Sequence, residues 1–222
     1  QRVALARALL THPEALLLDG PLSARDPFLK IRMRAELKKL QTRLVISFVH
    51  VTHSQEEAMA LADLIVVMND GRIEQAGTPR ELFLNPKTAF VARFMGDHNV
   101  VSGRTSESTD GLVHAEVPSG GSFAAPGTAR EPGSDIDIGI RCDKVRLGEP
   151  KARGLGFTGT ISNIEYQGSS VKLSVDGAGV EDFTAIVEER QFFTNPVAVG
   201  DAVPLNWDAE DAIVLGSAGG SA

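Results

Sequence analysis

The amino-acid sequence predicts an α/β half followed by an all-β barrel. Three observations carry that prediction. Through about residue 95, helical and strand patterns alternate, which is the habit of a layered α/β domain. Beyond Gly96 the pattern changes to short β-rich runs separated by Gly, Asp and Asn. Charge breaks at the same place: residues 1–97 carry +2 and residues 98–222 carry −9, which make up the net −7.

In the first half, Val3, Leu5, Ala8 and Leu9 suit one face of a helix, and Ala15 to Leu18 is a short apolar run ending in Asp19, read as a buried parallel strand. Asp26-Pro27 offers an N-cap with proline at the first helical position. Met33, Leu37, Leu40 and Leu44 then recur along one helix face. Val45 to Val51 predicts the next buried strand. Ser54 and Glu57 form a capping box opening a helix through about Ala62. Leu64–Met68, the Asn69-Asp70-Gly71 turn and Arg72–Gln75 predict a hairpin. Thr78-Pro79-Arg80-Glu81 is a second capping box. Asn85-Pro86 is read as the start of a further short helix that Gly96 ends.

In the second half, strands are expected at Ile136–Ile140, Thr158–Tyr166, Val171–Val175, Phe183–Val187 and Val203–Trp207. Five or more such strands suggest a small barrel of the oligonucleotide/oligosaccharide-binding type. Pro118 to Ser134 reads as a flexible loop by composition. Trp207 is expected in the barrel or at an interface, and Val203, Leu205 and Trp207 are expected to offer apolar surface for association.

At 222 residues the chain can hold one large domain or two small ones. No apolar run is long enough to cross a bilayer. The single Cys142 excludes an intrachain disulfide and a cysteine zinc cluster, in keeping with a reducing cytoplasm. The acidic second half argues against nucleic acid as a partner, because phosphate contacts need clustered cations. His12, His50, His98 and His114 show no metal-ligand spacing. The sequence opens inside an amphipathic pattern without Met, so it is expected to be an excerpt of a longer protein.

Four segments stand in a telling order: QRVALARALL, ALLLDGPLSARD, VTHSQEEAMALAD and IVVMNDGRIEQAGTPRELF. They resemble the helix after the signature loop, the Walker B strand with its D-loop, the switch-histidine segment, and the closing hairpin and helix of ATP-binding-cassette (ABC) ATPases. IGIRCDKVRLG, GTISNIEYQGSSVKLSV and VGDAVPLNWDAEDAIVL are similar to the regulatory domain of transport-associated ABC ATPases. The resemblance implies a partial P-loop NTPase half over residues 1–97 and an OB-type barrel regulatory domain over 98–222. It implies Asp19 as a Mg²⁺ ligand, His53 as the switch histidine, and Gln1, Ser23 and Asp26 as nucleotide-site positions. ATP and Mg²⁺ are expected in the intact parent, with none bound to this chain alone. DPFLKIRMRAELKKLQ, FVHVTHSQEEA and GDHNV look most like the polyamine-type branch.

Two departures matter. The family has glutamate after the Walker B aspartate, where it polarises the attacking water; this chain has Gly20. General-base help is typically worth ~10²–10⁴ in rate. No G-x-x-x-x-G-K-[ST] loop occurs, and that loop supplies most of the phosphate cradle. Smaller differences are Arg25 in the D-loop and Cys142-Asp143 in place of a Pro-acid pair. The expected function is thus a part of an importer ATPase subunit, cytoplasmic and peripheral to the membrane through permease subunits, and paired with a second copy of itself. A non-hydrolytic regulatory or dimerisation module is the alternative, and an unrelated ligand-binding barrel a third reading.

Overall fold

A computed structural model describes residues 2–20, 27–44, 46–118, 121–149 and 155–216. It divides into two compact units, Gln1–Val67 with Ala76–Glu81, and Met68–Gln75 with Leu82–Ala222.

The first unit opens with α1 (Arg2–Leu9), β1 (Ala15–Asp19), α2 (Pro27–Leu44), β2 (Ser47–Val51) and α3 (Gln55–Leu61). β1 and β2 pair in parallel, with Ala15 opposite Ser47 and Asp19 opposite Val51. Strand residues alternate between faces. One face turns Leu16 and Leu18 inward, and Leu18 packs with Leu5, Met33, Leu37 and Leu61 from the helices. The opposite face is open, with Leu17 76 %, Val49 49 % and Val51 56 % exposed. Parallel sheets are ordinarily covered on both faces. Among the described residues this one is covered on one face only. The amphipathic stripe predicted on α2 is buried at Leu37 and fades at Leu44, which is 38 % exposed.

β3 (Ile65–Asn69) and β4 (Arg72–Gly77) form the predicted hairpin. Its two-residue loop has positive φ at both Asp70 and Gly71, +46° and +74°. That twist matches the strands, and aspartate-glycine tolerates it. α4 (Pro79–Leu84) starts on the predicted capping box: the Thr78 N–H and hydroxyl both donate to Glu81 Oε2, at 2.8 and 2.9 Å, and the Glu81 N–H donates back to Thr78 Oγ1.

Asn85-Pro86 does not start a helix. The Asn85 carbonyl accepts from Gln75 Nε2 (3.1 Å), and α5 (Ala89–Met95) begins three residues later, capped by Thr88 Oγ1 on the Val91 N–H. Thr88 caps the helix because its hydroxyl oxygen accepts a helix N–H while its proton goes to Glu74 Oε2 (3.2 Å). Gly96 ends the helix at φ +68°, as expected.

From here the chain is β: β5 (His98–Thr109), β6 (Leu112–Glu116), β7 (Ser122–Pro126), β8 (Asp135–Arg141), β9 (Arg146–Leu147), β10 (Leu155–Tyr166), β11 (Ser170–Gly177) and β12 (Val180–Glu188). A short helix, α6 (Glu189–Thr194), precedes β13 (Ala202–Trp207) and β14 (Ala212–Leu215). There are two five-stranded sheets, in the orders β12-β11-β10-β13-β9 and β14-β8-β5-β6-β7. All five predicted strands exist. The expected small barrel of five or more strands takes the form of these two half-barrel sheets around one core.

That core holds Ile136, Ile138 and Ile140 from one sheet and Val171, Leu173, Val175, Phe183 and Leu205 from the other. At its centre Trp207 stacks on Phe123 (6.0 Å, 9° between planes), with Phe157 and Phe183 alongside. Two sequence expectations fail here. The segment read as a loop contains β7, and its Phe123 is 1 % exposed, so a Gly- and Ser-rich composition concealed a core strand. Val203, Leu205 and Trp207 offer no surface for association, being 6 %, 0 % and 1 % exposed.

Asn99 ties the two sheets. Its Nδ2 donates to the Thr184 carbonyl (2.8 Å) and its Oδ1 accepts the Thr184 N–H (2.6 Å), so one side chain serves the edge strand β12 as a strand neighbour would.

Candidate functional site

The parallel pair β1–β2 positions the site. Both strands run in one direction, so their carboxyl ends share one edge. In open α/β sheets ligands bind outside that edge. Asp19 is the last residue of β1, exposed, and opposite Val51, the last residue of β2. The ladder continues one step further, because the Gly20 N–H donates to the Val51 carbonyl at 2.9 Å. His53 follows two residues after β2 and is exposed. Asp19, Gly20 and His53 therefore gather at one edge. Gln1, Ser23 and Asp26 lie outside the described residues.

The turn that carries His53 is tightly held. Thr52 Oγ1 donates to Glu57 Oε2 (2.8 Å) and accepts the Ser54 N–H (3.0 Å), and Ser54 Oγ accepts the Glu57 N–H (3.3 Å). The predicted capping box exists in altered form: the Ser54 N–H reaches the Glu57 carboxylate through the Thr52 hydroxyl. Glu57 is 5 % exposed, so its carboxylate relies on the Thr52 hydroxyl rather than on bulk water. Sequence reasoning found Glu57 as a cap and missed Thr52; the signal was a hydroxyl two residues before the cap.

Beneath the edge, His50 lies on the covered side of β2. Burial lowers its pKa, the Glu57 carboxylate opposes that shift, and the Lys38 ammonium adds to it. Lys38 itself is engaged, donating to the Leu61 carbonyl (3.1 Å) and to Asp63 Oδ1 (2.9 Å).

Gly20 has φ +52°, and a Cβ built there meets nothing within 4 Å among the described residues. Space for a side chain is present. The left-handed backbone is what disfavours one, at ~1–2 kcal/mol for an L-residue.

The donor set fits one side of a magnesium-nucleotide site. A strand-end carboxylate suits a hard cation, which takes oxygen ligands. An exposed imidazole at the same edge suits a terminal phosphate. The glycine-lysine phosphate loop is absent from this sequence. Among the described residues no group of three or more His, Cys, Asp or Glu could hold a metal ion alone. No helix among them is long and apolar enough to cross a membrane.

The second unit has a different character: Cys142 is buried, and burial pushes its thiol up to about 12. At the start of β5, His98 Nδ1 lies 3.1 Å from the Gly96 carbonyl, and its ring meets Phe83 edge-on at 5.8 Å. Arg141 lies over the same phenyl ring (5.5 Å) and forks onto Asp143 at 2.9 and 2.7 Å.

Residues 138–215 match the TOBE domain family. Curated relatives then extend the similarity to nearly the whole chain. A spermidine/putrescine import ATP-binding protein from Thermobifida fusca is 39 % identical over 219 residues, 97 % of this chain and 56 % of that protein. Its counterpart from Aliivibrio fischeri is 42 % identical over 222 residues, 97 % of this chain and 59 % of that one. An Fe(3+) ions import ATP-binding protein from Brucella abortus is 38 % identical over 208 residues, 94 % of this chain and 55 % of that one. The chain is homologous to ABC importer ATP-binding subunits with a C-terminal TOBE domain, and it spans about half the length of these relatives. A solved structure of the cytoplasmic molybdate-binding protein ModG superposes with a TM-score of 0.47 at 16 % identity, covering 52 % of this chain and 94 % of that one.

Proposed function

We propose that this chain is the C-terminal portion of the ATP-hydrolysing subunit of an ABC importer, with residues 1–97 forming the second half of the ATPase domain and 98–222 the regulatory domain. What carries the reading is one conjunction: Asp19 and His53 stand at a single carboxyl edge of a parallel sheet, in a sequence homologous to importer ATP-binding subunits. Asp19 would hold the magnesium ion and His53 would meet the terminal phosphate, and the family resemblance assigns nucleotide contacts to Gln1, Ser23 and Asp26. Magnesium-ATP supplies a phosphoanhydride whose cleavage powers transport. Gly20 brings no base, so hydrolysis in the parent runs below that of a protein with glutamate there by up to ~10²–10⁴. The relatives named for spermidine and putrescine support a polyamine as the solute. The parent works at the cytoplasmic face, paired with a second copy and attached to permease subunits.

A second reading has one specific observation in its favour. Gly20, which places no side chain after Asp19, suits a non-hydrolytic module that associates and regulates. The genomic sequence upstream of the Gln1 codon separates the two. An in-frame G-x-x-x-x-G-K-[ST] segment supports the ATPase parent, and its absence overturns it. Phosphate release by this chain alone is expected to be nil; turnover of around ten per second would mean that other groups hold the phosphates.

A further inference from the structure

The geometry points to Glu57 as a positioning residue for His53, an inference that rests on the reading of His53 as the phosphate-facing side chain. His53 lies between two residues that are both tied to Glu57. On one side, Thr52 donates its only hydroxyl proton to Glu57 Oε2 (2.8 Å). That fixes the lone pairs of Thr52 Oγ1 so that one of them takes the Ser54 N–H (3.0 Å). On the other side, Ser54 Oγ takes the Glu57 N–H (3.3 Å). The carboxylate of Glu57 thus holds Thr52 directly and the Ser54 N–H by way of the Thr52 hydroxyl, while the Ser54 side chain is held by the Glu57 backbone N–H.

Burial makes the arrangement stiff. Glu57 is 5 % exposed, so a broken bond to Thr52 would not be replaced freely by water. Its charge also lies near His50, where it raises the imidazole pKa against burial. The same strand end anchors the other half of the edge, since the Val51 carbonyl accepts the Gly20 N–H. Glu57 therefore sets His53 relative to the Asp19-Gly20 corner, by way of Thr52.

An ordinary helix cap would also make α3 more stable, so the test must separate capping from positioning. Ser54→Ala removes the cap and leaves the Thr52–Glu57 bond and the Ser54 N–H bond intact. Glu57→Ala removes the anchor, and Glu57→Gln keeps an acceptor oxygen without the charge. The readouts are amide exchange at Ser54 and the backbone and imidazole NMR shifts of His53 in the full chain without ligand. Glu57→Ala is expected to speed Ser54 exchange about tenfold, the equivalent of one hydrogen bond, and to move the His53 shifts toward those of a flexible chain. Glu57→Gln and Ser54→Ala are expected to leave both near the parent values. Similar behaviour of Glu57→Ala and Ser54→Ala, or of Glu57→Ala and Glu57→Gln, overturns the inference. Should Glu57→Ala fail to fold, Thr52→Val tests the relay at its middle: it removes the donor to Glu57 and the acceptor of the Ser54 N–H together, so unchanged His53 shifts there refute the inference. No readout uses nucleotide, so an absent upstream phosphate loop would defeat the ATPase reading while leaving these results as they fall.

Discussion

Removing the Asn99 side chain should uncouple β12 from the sheet that contains β5. In Asn99→Ala two bonds to the backbone of Thr184 disappear, at 2.6 and 2.8 Å. Each is worth ~0.5–1.5 kcal/mol net, and a buried group left without a partner costs up to ~3 kcal/mol. Asn99 is 8 % exposed, but Thr184 is half-buried, so water recovers part of the loss at its N–H and carbonyl. The expected destabilisation is therefore about 1.5–3 kcal/mol, or roughly 5–12 °C in Tm for a unit of this size. Asn99→Asp sharpens the case. Its carboxylate still accepts the Thr184 N–H but faces the Thr184 carbonyl without a proton to give. At neutral pH it should cost more than alanine, and it should recover as the pH falls and the acid regains a proton. The assay is urea unfolding followed by Trp207 emission. The chain has one tryptophan, and at 1 % exposure it reports this core directly. A loss under 0.5 kcal/mol in Asn99→Ala, or wild-type stability of Asn99→Asp at pH 7, would refute the cross-sheet account.

Three further outcomes follow from the same geometry. Cys142, buried and with its thiol pushed up to about 12, should resist Ellman's reagent in the native chain and react on unfolding; rapid native labelling would contradict its burial. Burial lowers the pKa of His98, and Arg141 adds to the shift, while the Gly96 carbonyl, Asp97 and Asp143 oppose it. A depressed folded-state pKa means that the unfolded chain binds the proton first, so the His98 contribution is present above its ordinary value of 6.5 and lost as pH falls below it. Denaturant midpoints across pH 7.5 to 5 should fall less in His98→Gln than in the parent, and equal slopes would remove His98 from the account. Gly20→Ala should destabilise the first unit by ~1 kcal/mol through its positive φ alone, read by exchange of the β1 amides; a loss of several kcal/mol would mean that the open space around Gly20 is filled.

Much of the architecture was legible because short-range physics fixes it. Proline after a cap, a serine or threonine three residues before glutamate, and aspartate-glycine between apolar runs each specify a backbone conformation within a few residues. So α2, α3, α4 and the β3–β4 hairpin lie where the sequence puts them. The strand end at Asp19 and the residue two past β2 were legible for the same reason: an apolar run that stops at a polar residue marks a sheet edge. By itself, then, the sequence determined these local elements, the charge break near Gly96, and the placement of Asp19 and His53 at strand ends.

What lies between distant residues was decided by the tertiary structure. Phe123 sits in a stretch whose glycines and serines read as loop, and only its contact with Trp207, 84 positions away, makes that stretch a core strand. The burial of Val203, Leu205 and Trp207 depends on a second sheet that no local pattern announces. Asn99 reads as one more polar residue until β12 arrives beside it. Glu57 is the plainest case: a capping glutamate on paper, it becomes a buried anchor because Thr52 meets it at the end of β2. Propensity and periodicity are set by neighbours in sequence, whereas burial and hydrogen-bond partnership are set by neighbours in space, which exist only once the sheets have closed over their core.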